Sequence, residues 1–236
     1  YVDDTTVVSV SSDPGDRSPQ SAADQLLQWC VDNRMQINGK KTKEMLIYFG
    51  RKFVKDVVTP VTLNSDQIER VDTFKLLGVM FSSDLSWGPH VLYLLSKVSK
   101  RYYLIFQLAR VGVAQHDIIL IYCAIIRSVL EYACAVWHSG LTSAQSNDIE
   151  RVQKRCLRII FPELSYSDAL FVAGLDRLSV RREQIVRDTF INIKLPSHVL
   201  HNLLPAKLDH QFNSRDKYSY LLPGARTHRY ANSLIP

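Results

Sequence analysis

Residues 87–112 read WGPHVLYLLSKVSKRYYLIFQLARVG, and within them Val91, Leu94, Leu95, Val98, Tyr102, Ile105 and Leu108 recur at three- and four-residue steps. That is the period of an α-helix with one face against a core. The pattern starts after Trp87-Gly88-Pro89 and ends near Gly112, a Gly that suits a helix end. Upstream the period is different. The boundary between two kinds of chain therefore falls near residue 88, with an α+β part before it and helices after it.

Downstream, residues 115–138 carry Ile118, Ile119, Tyr122, Ile125, Ile126, Val129, Ala133 and Trp137, with apolar residues spilling onto the other sides. Such a segment predicts one helix at the centre of a bundle. Thr142 and Gln145 form the capping box of a third helix that runs to about Phe161. Residues 167–170 and 179–193 predict two further helices. From Leu195 onward Pro, His and Asn become frequent and regular structure is not expected. The helical part divides into a bundle over 89–162 and a downstream, partly irregular region over 163–236.

Residues 1–88 mix short strand signals with one helix. Thr5 to Val10 is β-branched, a loop rich in Asp, Pro, Gly and Ser covers 11–19, and Ser21 with Asp24 opens a helix whose apolar face is Leu26, Leu27, Cys30 and Val31. Asn38-Gly39 is expected to end it. Residues 45–49 read as a buried strand before Gly50, and 57–63 and 74–81 as further strand pieces joined through polar residues.

Composition narrows the class. Of 236 residues, 46% are apolar and 22% charged, which excludes a largely disordered chain. The longest apolar stretch, 118–126, stops at Arg127 and is far short of the ~20 residues that span a bilayer, so no membrane partner is expected. Cys30, Cys123, Cys134 and Cys156 are far apart in sequence, and Cys134 alone has a His within four residues, His138; a zinc site is not indicated, and reduced core cysteines of an intracellular protein are. The net charge of +6 is uneven: residues 1–88 hold ten Lys and Arg against twelve Asp and Glu, and residues 89–236 nineteen against eleven. An anionic partner such as nucleic acid suits the second part.

Two features carry chemistry. The chain opens Tyr1-Val2-Asp3-Asp4. Adjacent strand residues point to opposite faces, so both carboxylates serve one site only where the backbone turns, as at a hairpin tip. The pair is either a solvated turn or part of a hard-cation site, in which Mg²⁺ would offset their mutual repulsion. The second feature is Arg151, Lys154, Arg155 and Arg158 at i, i+3, i+4 and i+7, with Ile149, Val152, Cys156, Ile159 and Ile160 opposite. This is a basic stripe on an amphipathic helix, either a solvated face or a contact for phosphates.

The order of motifs resembles the reverse transcriptases of non-LTR (LINE-type) retrotransposons. Tyr1-Val2-Asp3-Asp4 is followed by Trp29, Asn33 and Met35, by Asn38-Gly39-Lys40-Lys41-Thr42, and by Phe74-Lys75-Leu76-Leu77-Gly78-Val79. Then come Leu85-Ser86-Trp87, His90, residues 127–132, Trp137 and Gln153-Lys154-Arg155. The resemblance covers most of the chain. It implies the C-terminal part of a polymerase palm with its primer-grip hairpin, a helical thumb and a downstream helical region.

On that resemblance, Asp3 and Asp4 are Mg²⁺ ligands of the two-metal polymerase site. Tyr1 and Val2 contact the primer end or template. Lys41 is close to the incoming deoxynucleotide triphosphate, or is one of three lysines on a solvated turn. Phe74, Lys75, Leu77 and Gly78 grip the primer, or are an ordinary core strand with a bend. Arg151, Lys154, Arg155 and Arg158 hold the template-primer duplex, with RNA as template and DNA as primer. The fingers and a further metal-binding Asp belong to an N-terminal part of the same polypeptide that precedes Tyr1, so the chain alone is expected not to polymerise. The parent ribonucleoprotein is expected in nucleus and cytoplasm. Two rivals are a non-enzymatic nucleic-acid-binding helical protein derived from such an element, and a helical bundle without a nucleic-acid role.

Overall fold

The computed structural model describes residues 4–10, 16–48, 58–64, 66–206 and 220. The chain is a helix-rich α+β protein made of two compact units, residues 1–86 and 87–236.

The first unit holds helix α1 (Ser18–Asp32) and three two-stranded sheets among its described residues: β1 (Lys43–Glu44) parallel to β4 (Glu69–Arg70), β2 (Thr62–Leu63) antiparallel to β3 (Asp66–Gln67), and β5 (Thr73–Leu76) antiparallel to β6 (Val79–Ser82). Helix α1 begins three residues before the expected Ser21. Pro19 sits in the first turn, and the Asp16 carboxylate accepts from the Ser18 backbone N–H (2.8 Å) and hydroxyl (2.9 Å), which serves the free end of the helix better than Asp24 can. Asp24 instead accepts from the Gln20 side-chain amide at 2.7 Å.

The helix also ends early, at Asp32, where Arg34 takes a left-handed conformation (φ 55°); Asn38-Gly39 makes a separate turn. The expected strand at 45–49 is not formed. Pairing stops after Glu44, and residues 45–48 run without regular structure, while Phe49 and Gly50 lie outside the described residues, as does most of the 11–19 loop. A small core of Val61, Leu63 and Ile68 packs against Ala23 and Ile37. The Gln20 amide acts as a substitute strand neighbour there: it accepts from Thr62 N (2.8 Å) and donates to Thr62 O (3.0 Å).

The second unit is helical. Helices α2 (Gly88–Ser99) and α3 (Tyr102–Arg110) divide what the sequence suggests is one helix. The apolar stripe continues across the break, from Val91, Leu94 and Val98 to Ile105, all 3% exposed or less. At the break Arg101 reaches away from the stripe to donate to the Ile125 carbonyl.

The segment expected as one helix over 115–138 is likewise divided, into α4 (Gln115–Tyr122), a π-helical turn (Cys123–Arg127), α5 (Ser128–Glu131) and α6 (Cys134–Trp137). The burial pattern explains the π turn. Ile118, Tyr122, Ile126 and Leu130 are each at most 1% exposed and follow at four-residue steps. An α-helix turns about 100° per residue, so a four-residue step overshoots by roughly 40° and three steps by roughly 120°. The one extra residue of a π turn absorbs about 100° of that drift and keeps the stripe on the core. Arg101, on Ile125, and the Ser128 hydroxyl, 2.5 Å from Ala124 O, occupy carbonyls in this turn. The chain then breaks at Ala133, whose φ is 50°.

By length and composition alone Gln115–Trp137 could cross a membrane, longer than the 118–126 run suggested. One stripe of it, through Ile118, Tyr122, Ile126 and Leu130, is buried, and about a third of its apolar window is.

Helices α7 (Ser143–Ile160), α8 (Tyr166–Ala173) and α9 (Leu178–Ile193) complete the bundle, followed by a short 3₁₀ turn at His201–Leu203. The expected capping box is present: Thr142 Oγ1 accepts from Gln145 N at 3.2 Å, and Gln145 Oε1 accepts from Thr142 N at 2.9 Å. All four cysteines are free thiols, three of them buried, and burial pushes Cys134 up to about 11 and Cys156 up to about 12.

Candidate nucleic-acid interface

In the first unit the tightest local geometry is the turn at Asn38-Gly39-Lys40-Lys41-Thr42. The Asn38 carbonyl accepts from Lys41 N (3.1 Å), Thr42 N (3.0 Å) and the Thr42 hydroxyl (2.9 Å), and the Asn38 side-chain oxygen accepts from Lys41 N at 3.2 Å. Asn and Thr are thus accounted for by the turn itself. The turn holds the Lys41 backbone while its side chain stands exposed.

Tyr1, Val2 and Asp3 lie outside the described residues. Asp4 is exposed, and no ion pair or hydrogen bond joins it to Lys41. An exposed carboxylate suits Mg²⁺ as one oxygen ligand. Among the described residues no group of three or more His, Cys, Asp or Glu could hold a metal ion.

Strands β5 and β6 make a two-residue hairpin, with Leu76 paired to Val79, Lys75 to Met80 and Phe74 to Phe81. Its tip, Leu77-Gly78, has φ of +46° and +84°, the paired positive values of a type I′ turn. Gly78 takes such a value freely. Leu77 does not: a left-handed conformation costs an L-residue about 1–2 kcal/mol, and its side chain is 68% exposed. Phe74 is half-buried, and Lys75 stands on the exposed face of the hairpin.

In the second unit α7 divides into two faces. Ile149, Val152, Gln153, Cys156, Leu157 and Ile160 are buried, while Arg151, Lys154, Arg155 and Arg158 are all exposed. Two of the four cations are engaged. Arg151 pairs with Asp148, and the Arg155 guanidinium lies over the Tyr102 ring, 4.7 Å from its centroid, where a cation is attracted to the π face. Burial of Tyr102 raises its hydroxyl to about 12.

Behind this face lies a buried polar network that sequence reasoning did not find. Tyr122 Oη donates to Gln153 Oε1 (2.7 Å), and Gln153 Nε2 donates to Tyr166 Oη (3.1 Å) and to Asp176 O (2.9 Å). Tyr166 Oη donates to Glu150 Oε1 at 2.5 Å, and Glu150 accepts from the first N–H groups of α9 at Leu178 and Ser179. Glu150 is therefore a helix cap and not merely an acid beside the basic stripe. Burial raises Tyr122 and Tyr166 well above the ordinary tyrosine range.

Arg181 and Arg182 are adjacent but differ: Arg181 is exposed and Arg182 is internal. Arg181 shares Glu131 with Arg127, at 3.4 and 3.6 Å. Arg182 is fully buried: its Nε donates to His138 Nδ1 (3.3 Å), its Nη2 to Ser146 Oγ (3.2 Å), and it lies 5.8 Å from the Trp137 ring centroid. Trp137 and Tyr122 are core residues, each 0% exposed.

The Trp87 and His90 pair is also structural. His90 is buried between Trp87 and Trp137, with ring centroids at 6.2 and 5.2 Å, and a Cβ at Gly140 would come within 2.4 Å of the Trp87 indole nitrogen. Burial lowers both His90 and His138 to about 4, Arg182 adding to the effect on His138.

No protein-family model matches the chain, and no curated protein or solved structure is similar enough to count as a relative.

Proposed function

We propose that the chain is the C-terminal palm segment, thumb and downstream helices of a non-LTR retrotransposon reverse transcriptase, and that α7 holds template-primer duplex through its phosphates. The parent enzyme extends a DNA primer on an RNA template with deoxynucleoside triphosphates. The observation that carries the reading is the α7 face itself: four cations exposed along one side of a helix whose other side is buried. Phosphate contacts need such a row on a rigid element, and they need no base-reading groups. The motif order of the first unit supports the polymerase assignment, with Leu77-Gly78 as the primer-grip tip and Asp3 and Asp4 as metal ligands. Mg²⁺ bound there would activate the primer hydroxyl and stabilise the departing pyrophosphate. Lys41, exposed on a tied turn, would offset triphosphate charge.

The test is binding of an RNA–DNA hybrid across a salt series, before and after Arg151, Lys154, Arg155 and Arg158 are all changed to Glu. Wild-type affinity should fall steeply with salt, each phosphate contact adding about 0.7–0.9 to the logarithmic slope, and the variant should lose binding while keeping its circular dichroism. Unchanged affinity would refute the duplex contact. For the polymerase assignment, Asp3→Asn with Asp4→Asn in the full open reading frame should abolish DNA synthesis; synthesis at the wild-type rate would leave only a nucleic-acid-binding protein.

A further inference from the structure

Beside the α7 stripe, helix α3 carries a row of side chains that runs from a packed end to an exposed one. Tyr102, Phe106 and Arg110 follow at four-residue steps, so they lie one above another on the same side of the helix, and Tyr103 stands next to Phe106 at three residues. The row starts half-buried at Tyr102 under Arg155 and then emerges: Phe106 is 51% exposed and Tyr103 69%. Packing accounts for Ile105, fully buried, but not for two exposed aromatics on a nine-residue helix.

Along the α3 segment itself the charge is of one sign. No acid occurs between residues 100 and 116, and Lys100 and Arg110 stand at the two ends of the helix. Arg155 of α7 joins the row at Tyr102. Exposed flat rings among cations offer stacking for bases and neutralisation for phosphates, the combination used on single strands, where every base presents a π face. A duplex buries those faces within its own stack.

We infer that the Tyr103 and Phe106 face of α3 binds single-stranded nucleic acid by base stacking, alongside the duplex contact of α7. This rests on the reading of α7 as a nucleic-acid face. A strand leaving the duplex held by α7 would pass onto α3 across Arg155 and Tyr102.

Anisotropy titrations of the 236-residue chain test it with two probes, an unstructured single-stranded RNA and an RNA–DNA hybrid. Tyr103→Ala with Phe106→Ala should weaken the single strand about tenfold or more, the scale of losing stacked bases. The hybrid should change less than about twofold and the salt slope of both probes should stay the same, because the phosphate contacts remain. Tyr103→Phe with Phe106→Trp should restore single-strand binding.

If the hybrid binds and the alanine variant holds the single strand as wild type does, this inference fails and the duplex reading stands. If wild type binds neither probe, the nucleic-acid reading fails and takes this one with it. A wild-type dimer in sedimentation that the alanine variant converts to monomer would assign the face to a second copy of the chain and overturn the inference.

Discussion

The two units are held together in different ways. The helical unit buries Trp137, Tyr122, Leu130, Ile149 and Leu157 completely, and each of its long helices satisfies its own backbone before it packs. The α+β unit pairs strands only two to four residues long. Among its described residues only Cys30, Val61, Leu63, Ile68, Val79 and Ser82 are buried, while Val8, Val10, Trp29 and Val31 are more than half exposed. A helix needs one apolar face to be useful. A two-residue strand satisfies few backbone groups and depends on its neighbours. The contrast teaches that stability resides in the second unit, while the motifs read as catalytic sit on the less self-sufficient one.

The largest effect expected from this contrast comes from dividing the chain at residue 86. Residues 87–236 alone should melt cooperatively and protect the amides of Leu130, Trp137 and Leu157 by several kcal/mol, within the usual 5–15 kcal/mol of a stable domain. Residues 1–86 alone should exchange their amides rapidly and show no sharp transition. Hydrogen exchange read by mass spectrometry checks both, and a cooperative, protected 1–86 fragment would break the contrast.

Acid should separate the units next. All seven histidines follow residue 89, and His90 and His138 are held near 4 by burial. Their folded values lie below the ordinary 6.5, so the folded state prefers the neutral ring. That stability is fully present above pH 6.5 and is lost as the pH falls through about 4. For the fully buried His90 the change is roughly 3 kcal/mol, at 1.36 kcal/mol per unit. His138 adds a geometric reason, because Arg182 Nε–H needs an unprotonated Nδ1 to donate to. Thermal melts of the helical unit should drop between pH 7 and pH 4.5, less so in His138→Asn, whose side-chain oxygen can accept from Arg182 without titrating. An acid-insensitive melt would mean that neither ring is held neutral by the core.

What was legible in the sequence follows the distance over which each signal acts. The change of period at Trp87, the capping box of Thr142 and Gln145, and the two faces of α7 are local, each decided within a few turns. The π turn was hidden because Ile118, Tyr122, Ile126 and Leu130 look like any apolar stripe; only their regular four-residue step implies a drift that α geometry cannot absorb. The fate of Arg182 was illegible for another reason. Two adjacent arginines suggest a wet surface, and only the folded chain brings His138 and Ser146, from forty-four and thirty-six residues away, to Arg182. Gln153 likewise draws partners from Tyr122, Tyr166 and Asp176. The candidate site divides the same way, for the basic row could be read from spacing alone, whereas the role of Glu150 as a cap for α9 depended on chain 28 and 29 residues further on. In the first unit the start of α1 was misassigned because Ser21 and Asp24 compete with Asp16 and Pro19, and the second pair wins by placing an acceptor and a preset φ at the first turn.

The smallest effect sharpens the contrast from the weaker side. Leu77 holds φ +46° at the hairpin tip with 68% of its surface in solvent, so the side chain gains little packing for a conformation that costs about 1–2 kcal/mol. Asn before Gly is the pair a type I′ turn prefers, and Leu77→Asn should stabilise the β5–β6 hairpin by about 1 kcal/mol, read from slower exchange at the amides of Leu76 and Val79 in the whole chain. The same variant then separates two reasons for keeping Leu there. If the hairpin gains stability and hybrid binding weakens, the strained apolar tip is maintained for contact with the primer. If stability falls instead, Leu77 packs usefully despite its exposure, and the first unit is less dependent on its neighbours than its short strands imply.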